Sequence, residues 1–285
     1  ARCPPDRQEL SRTIRARLLL LPAVLAWANP VAAQDTDAAP PFRLSGSATL
    51  ASDYRLRGIS QTDKDVALQG SLTLTHRSGL YATLFAANLK GWGTFGGPDL
   101  ELDLTGGWRG TLGDATIDAG ITWYNYPGGA PITSYLEPTL KLSGSYGPAQ
   151  LLAGVAWAPP QQPLGNWSNH PDSRPGSSAS NLYLWGDASA GIPRTPVTVK
   201  AHLGWSDGNP GLGPNGTSVA PTGRYWDWLL GADVALGPVV LGIAYVDTDI
   251  SQGSAAYRRL QPNFAMRDGA SIAGSTLVVS LSAAF

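Results

Sequence analysis

The chain has 285 residues, a formal net charge of −1 and a charged fraction of 14%, where about a quarter is usual for a soluble globular domain. This composition argues against a basic nucleic-acid-binding protein, an acidic disordered tail and a salt-bridged helical bundle. Glycine (34 residues) and proline (23 residues) make up a fifth of the chain, which helix interiors tolerate poorly. With Cys3 as the single cysteine, neither a disulfide framework nor a cysteine-based metal site is predicted.

The start of the chain has the layout of a secretory signal. Three arginines precede an apolar run from Leu18 to Trp27, and small residues follow up to Ala33. The run is about half as long as a membrane-spanning helix requires. We therefore predict a removable leader over 1–33, of which 1–11 is compatible with an upstream misread, then a short periplasmic segment (34–42) and one domain (43–285).

Beyond the leader, apolar and polar residues alternate over about ten residues at a time, as in Leu100 to Leu104. A period of two is typical of β-strands, and no later apolar run is long enough for a transmembrane helix. Twelve such segments follow in chain order: 43–52, 66–76, 79–88, 99–110, 114–124, 135–146, 149–158, 181–191, 196–206, 225–236, 238–247 and 273–285. A hairpin hidden in a loop would change the strand count.

The connections between these segments alternate strictly between long and short. Residues 53–65, for example, form a long connection, and Arg77-Ser78 a short one. This asymmetry is typical of an all-β, up-and-down antiparallel transmembrane barrel, with short periplasmic turns and long extracellular loops. A soluble twelve-stranded barrel is the alternative.

Aromatic residues on the apolar face favour the membrane barrel. They form two groups along the strands, one at the long-loop ends (Trp123, Trp157, Trp205, Trp226, Trp228 and Tyr245) and one near the other end (Trp108, Tyr146 and Phe285). Two aromatic rings that bracket an apolar band are the girdles expected at the two membrane interfaces. The outer-membrane lipid and lipopolysaccharide are then the immediate surroundings of the protein.

The same alternation assigns a set of charged side chains to the inner, polar face. The predicted pore-lining residues are Glu101, Asp103, Arg109, Asp118, Glu137, Lys141, Asp187, Lys200, His202, Asp227 and Asp233. Because acids outnumber permanently charged bases, an open lumen would prefer cations mildly. Twelve strands lie between filled eight-stranded barrels and open sixteen-stranded ones, so a closed lumen with paired charges is the second alternative.

The first long connection reads Ser52-Asp53-Tyr54-Arg55-Leu56-Arg57-Gly58-Ile59-Ser60-Gln61-Thr62-Asp63, and Ala67-Leu68-Gln69-Gly70 follows. With Leu80-Tyr81, Glu101 to Leu104, Asn181 to Gly186 and the loop Ser206 to Gly216, this resembles the TorF-family porins of proteobacterial outer membranes over the full mature length. That family usually has an aromatic residue at position 56, glycine at 64 and proline at 66. The alternating C-terminus that ends in Phe285 is similar to the assembly signal of outer-membrane barrels, which implies the barrel-insertion machinery as a partner.

Two placements of the first connection stay open. In one, it folds into the barrel mouth and forms a constriction with Tyr54, Arg55, Arg57 and Gln61, the two arginines facing acidic wall residues. In the other, it is an outward, solvated loop.

Chemical sites find little support in the sequence, so we predict no enzyme, no cofactor and no metal. The fingerprint Gly91-Trp92-Gly93-Thr94-Phe95-Gly96 lacks the helix that would hold a pyrophosphate. A hydrolase would have to use His76, His170 or His202 with a neighbouring serine, without a G-x-S-x-G motif. Asp247 and Asp249 alone are weak evidence for a cation site.

Together these patterns predict an outer-membrane barrel that passively conducts small polar solutes or ions. The competing hypothesis is a closed structural or surface-interaction barrel that acts through the loops 159–180, 207–224 and 248–272.

Overall fold

The computed structural model describes residues 40–90, 98–129, 132–165, 176–209, 223–251 and 271–285. Twelve antiparallel strands form a closed barrel, which confirms the predicted architecture. The wall strands are β1 (Phe42–Ala51), β4 (Ala67–His76), β5 (Leu80–Asn88), β6 (Leu100–Leu112), β7 (Ala115–Asn125), β8 (Tyr135–Tyr146), β9 (Ala149–Gln161), β10 (Ala179–Gly191), β11 (Val197–Gly208), β12 (Arg224–Leu236), β13 (Val239–Thr248) and β14 (Thr276–Ala284). The leader 1–33, the glycine motif 91–96 and His170 lie outside the described residues, as does most of segment 34–42.

Each wall strand pairs with its neighbour in the chain, and β1 closes the barrel against β14, with Ser47 opposite Ala284. Two-residue turns join three of the strand pairs, and each begins with a glycine at positive φ: Gly113 (60°), Gly147 (57°) and Gly237 (65°). Such turns match the right-handed twist of the strands they connect. We call this end of the barrel the short-turn half and the other end the long-loop half.

The strand boundaries differ from prediction mainly around β9 and β10. The predicted segment ended at 158, whereas β9 continues to Gln161, which pairs with Ala179 after a bulge. The Gln161 amide also bonds the backbone of Leu136, accepting from its N–H at 2.8 Å and donating to its carbonyl at 2.7 Å. Such a bond between a side chain and a neighbouring backbone allows a strand to continue past the segment in which apolar and polar residues alternate.

A second difference lies within the first long connection, where two short strands, β2 (Arg55–Leu56) and β3 (Ile59–Ser60), form a hairpin. In the part of the chain that the structure describes, no helix is long and apolar enough to cross a membrane. The described chain contains one 3-10 turn at Gln162–Leu164.

Burial separates the two halves of the barrel interior. In the long-loop half, side chains of several strands are sealed from solvent, including Glu101, Glu137, Tyr135 and Asp227, each at most 2% exposed. In the short-turn half, the inward Arg109 side chain keeps 35% of its surface exposed. The interior is therefore filled at one end and accessible to solvent at the other.

Candidate functional site

The β2–β3 hairpin reverses at Arg57 and Gly58, which have φ values of 49° and 78°. Two consecutive positive φ angles define the tight turn that suits a two-residue hairpin. Glycine adopts this conformation freely, whereas arginine does so at a cost of about 1–3 kcal/mol. Surrounding contacts must therefore hold Arg57 in place.

The base of the hairpin is organised by the buried carboxylate of Asp53. Its Oδ1 accepts from the hydroxyls of Ser60 (2.5 Å) and Thr62 (3.1 Å), and its Oδ2 accepts from Arg55 Nε at 2.6 Å. The hypothesis that Arg55 faces an acidic residue of the wall is therefore wrong. Arg55 and Asp53 are only two residues apart, so their ion pair costs less loop-closure entropy than a pair between Arg55 and a distant wall residue would.

Arg57 extends from the hairpin tip to the far wall of the barrel. Its Nη2 donates to both carboxylate oxygens of Glu137 on β8 (2.8 and 2.7 Å), and the guanidinium carbon lies 4.2 Å from the ring centroid of Tyr183 on β10. The Tyr225 hydroxyl on β12 donates to the Arg57 carbonyl at 3.1 Å. Burial lowers the pKa of Arg57, but the adjacent carboxylate outweighs burial and holds this pKa well above its usual value.

Further contacts attach the hairpin to the segment that precedes β14. Arg55 Nη1 donates to the carbonyl of Gly274 at 3.0 Å, and the Ser60 amide donates to the carbonyl of Ile272 at 2.9 Å. Since Arg57 contacts β8, β10 and β12, the hairpin as a whole touches widely separated parts of the wall. In the structure, the first connection thus lies inside the barrel and crosses the lumen.

An apolar and aromatic cluster fills the mouth beside the hairpin. Its buried members are Leu89, Tyr126, Tyr135, Ala158 and Leu164, with Tyr54 and Tyr124 packed against them. The Tyr124 and Tyr135 rings stack at 4.6 Å. Burial raises the pKa of Tyr54 well above its usual value, and the carboxylates of Glu101 and Asp103 raise it further. Its hydroxyl is therefore protonated throughout the physiological pH range.

Glu101 and Asp103, on the inner face of β6, form the most acidic part of this region. Glu101 Oε1 accepts from the Tyr126 hydroxyl at 3.3 Å. Glu101 Oε2 and Asp103 Oδ1 are buried without a hydrogen-bond partner among the described residues. In the described ranges, neither carboxylate forms an ion pair with a lysine or arginine.

In the short-turn half, the predicted lumen charges pair with one another. Arg109 Nη2 lies 2.6 Å from Asp118 Oδ2, and Lys141 Nζ lies 3.8 Å from the same oxygen. Lys200 Nζ lies 2.6 Å from Asp233 Oδ1. These side chains remain about one-third exposed on the basic partner, so water reaches them from the short-turn end.

Between the two halves, His202 links three inward side chains. Its Nδ1 lies 2.6 Å from Asp187 Oδ1, and its Nε2 lies 2.8 Å from the Tyr183 hydroxyl and 3.2 Å from Asp227 Oδ1. Tyr183 therefore touches both the histidine network and the Arg57 guanidinium. All eleven predicted pore-lining residues lie on the inner face, in the long-loop half, in the short-turn half and in the histidine network between them.

The structure adds residues that sequence reasoning did not select. Tyr183, Tyr225, Tyr124 and Tyr135 surround the hairpin. The period of two places them on the inner face, because each is an even number of residues from an inward acid of its strand, as Tyr135 is from Glu137. The sequence carries no signal that they meet Arg57, because the contacts cross the barrel.

The predicted girdle residues all lie on the outer face. Near the short-turn end, Tyr146 is 82% and Phe285 68% exposed. At the other end, Trp205 and Trp226 are cross-strand neighbours with ring centroids 6.5 Å apart. The remaining members are Trp108, Trp123, Trp157, Trp228 and Tyr245.

The residues weighed for catalysis or metal binding have structural contacts. His76 Nδ1 lies 2.8 Å from Ser78 Oγ in a short turn. Asp249 accepts from the Trp226 amide at 2.8 Å, and Asp247 accepts from the Tyr245 hydroxyl at 2.8 Å. Within the described ranges, no three His, Cys, Asp or Glu residues are grouped so that they could hold a metal ion.

Solved structures with a similar fold include outer-membrane proteins of low sequence identity. An outer membrane channel from Pseudomonas putida F1 is 13% identical (TM-score 0.40), covering 90% of this chain and all of that chain. An anion-selective porin from Comamonas acidovorans is 11% identical (TM-score 0.39), covering 86% and 99%. A further porin is 11% identical (TM-score 0.40), covering 86% and 100%.

Among sequences, no curated protein matches the chain significantly. One family model does match, and it extends over residues 35–285. The chain therefore belongs to the family described as bacterial protein of unknown function (Gcw_chp).

Proposed function

We propose that the protein is an outer-membrane channel for passive diffusion of small polar solutes or ions, whose entrance is narrowed by the hairpin of residues 52–66. One observation carries this proposal. An inserted segment occupies part of the long-loop half of the lumen, beside the aromatic cluster, while the wall is complete without it, since Ala51 and Ala67 are already cross-strand neighbours. If the hairpin moves out of the lumen, the barrel wall stays intact and the lumen becomes a wider passage.

The lumen charges support a preference for cations. Seven inward acids face four permanently charged bases on the described wall, Arg43, Arg109, Lys141 and Lys200, and Arg57 of the hairpin neutralises Glu137. Glu101 and Asp103 form no ion pair with a described lysine or arginine, and release of the hairpin would expose them to passing ions, which charged groups of a pore wall select.

The proposal extends to export and surroundings. The leader 1–33 is removed, and the insertion machinery reads the C-terminus, where Leu277, Val279, Leu281 and Phe285 face outward. The girdles then lie at the two interfaces, in contact with lipid and lipopolysaccharide. Membership of the TorF-family porins, which the motif from Ser52 to Asp63 indicates, is part of the same proposal.

A closed structural barrel is the second candidate, favoured by the buried Arg57–Glu137 pair that holds the hairpin across the lumen. Conductance of refolded residues 34–285 in a planar bilayer decides between the two. We compare the native sequence with a variant in which Asn-Gly replaces residues 52–66, a replacement that suits a two-residue hairpin turn. Heat-modifiable mobility on a denaturing gel checks folding.

A channel gives discrete steps that are larger in the hairpin-less variant, with a reversal potential displaced toward that of the cation. In the hairpin-less variant, where Asp103 is no longer buried by the hairpin, Asp103→Asn reduces the displacement, and Asp114→Asn in an exposed turn does not. If folded, inserted protein stays silent with and without the hairpin, the channel is refuted and the closed barrel remains.

A further inference from the structure

We propose that the wall site now filled by the Arg57 guanidinium is a binding site for guanidinium-bearing solutes, which displace Arg57 and release the hairpin. We call this site the Arg57 seat, and it consists of the Glu137 carboxylate and the Tyr183 ring. Opening of the lumen by such a solute rests on the channel function proposed above, whereas binding does not.

The wall builds the seat without help from the hairpin. Glu137 and Tyr183 project from β8 and β10, which flank β9. The inner face of β9 carries the small residues Ala156 and Ala158 at this level, and Ala156 lies opposite Tyr183 in the register. The next inward position, Gly154, is covered by the Trp185 ring, which stacks on Tyr183. The result is a recess with a carboxylate on one side and an aromatic face on the other.

This combination matches the chemistry of a guanidinium group. A planar, delocalised cation donates to a carboxylate and stacks on an aromatic ring at the same time. The Tyr124 hydroxyl, 3.3 Å from Glu137 Oε2, helps to orient the carboxylate. The seat therefore offers the two contacts that a guanidinium group makes, an acceptor for its N–H groups and a ring face for its plane.

Arg57 is an imperfect occupant of the seat. It reaches Glu137 through a single nitrogen, Nη2, whereas a free guanidinium can use two parallel N–H···O bonds. Its Nη1 is buried without a partner among the described residues, and its backbone has φ 49°. An untethered solute carries no backbone strain and can present two nitrogens to Glu137, and it therefore competes with the hairpin.

Calorimetric titration of detergent-folded residues 34–285 tests binding separately from conduction. The probe is L-arginine amide, and its matched control is L-citrulline amide, in which a urea replaces the guanidinium. Arg57→Ala empties the seat and should bind L-arginine amide at least about tenfold more tightly than the native sequence, because Arg57 no longer competes. The hairpin-less variant should behave in the same way, so the test survives if Arg57→Ala fails to fold.

Two controls define the site. Glu137→Gln in the hairpin-less background should abolish binding. Arg77→Ala, which removes an exposed arginine from a short turn, should bind like the native sequence. Equal affinities with and without Arg57, binding that persists in Glu137→Gln, or equal binding of the citrulline control would each overturn the proposal.

Bilayer recordings add the functional arm. L-arginine amide on the long-loop side should increase the open fraction of the native protein, and the citrulline control should not. Binding of L-arginine amide without any conductance in the bilayer would refute the channel function but support the Arg57 seat as a binding site. Conduction without any binding would refute the seat and keep the channel.

Discussion

Position 57 carries an arginine where two-residue hairpin turns of this type favour asparagine, aspartate or glycine. The left-handed backbone is offset by a buried ion pair, with side-chain exposures of 6% for Arg57 and 1% for Glu137, and by the Tyr183 ring, where a desolvated cation–π contact contributes about 2 kcal/mol. The side-chain contacts of Arg57 therefore stabilise its positive φ, and the Glu137 carboxylate on the opposite wall holds the turn in place.

Glu137→Gln leaves the Arg57 charge buried without its partner. Loss of one member of a buried pair costs about 3–5 kcal/mol, so we expect the free energy of unfolding to fall by that amount in urea titrations of the detergent-folded protein. Arg57→Met combined with Glu137→Gln should cost less than the two single changes added together. Strictly additive effects, or a loss below about 1 kcal/mol for Glu137→Gln, would show that the pair does not hold the hairpin.

At the scale of the element, the hairpin is an insertion between two strands that already pair, and it contacts the wall at its tip. Gly58 is the point of closest approach: a Cβ atom built there would lie 2.5 Å from Thr248 Cγ2 and 2.8 Å from Asp227 Cβ. Only glycine fits this contact and its φ of 78°. A cysteine at position 58 must therefore shift the tip slightly, and it is then close enough to position 248 for a reversible cross-link.

Gly58→Cys combined with Thr248→Cys should lock the hairpin inside the barrel. Residues 34–285 contain no other cysteine, so a disulfide formed under oxidising conditions has a unique assignment. We expect the oxidised protein to conduct less than the native sequence. The reduced protein should conduct more, because a side chain at position 58 displaces the tip. Each single cysteine variant serves as a control without redox response, and unchanged conductance on oxidation would contradict a hairpin gate.

At the scale of the whole molecule, the outer face is an apolar band between aromatic ends. Leu230, at the centre of β12, is 61% exposed, and Leu236, at its short-turn end, is 50% exposed. Because water does not solvate a charge at the bilayer centre, depth along one strand should decide the effect of a substitution.

Leu230→Arg should lower the free energy of unfolding in lipid vesicles by about 2–4 kcal/mol, while Leu236→Arg should lower it by about 0–1 kcal/mol. Both variants add the same side chain to the same face of the same strand. Equal effects at the two positions would mean that the band does not face a bilayer.

Much of the wall could be predicted because its signals are local. Alternation of apolar and polar residues defined all twelve strands, and connection lengths defined the two ends. Boundaries failed where a side chain continued the pairing, as Gln161 does on the backbone of Leu136. The β2–β3 hairpin was missed because two-residue strands have no detectable period.

The sequence by itself determined which face each side chain of the wall occupies, because a period of two assigns faces without reference to other strands. Only the tertiary structure decided that the first connection lies inside the lumen, that Arg57 meets Glu137 and Tyr183, and that Arg55 stays with Asp53. The two contacts of Arg57 join residues separated by 80 and 126 positions in the chain, and they leave Arg55 with its near neighbour Asp53. These contacts depend on the closure and register of the whole barrel, which bring strands that are distant in the sequence to face one another across the lumen.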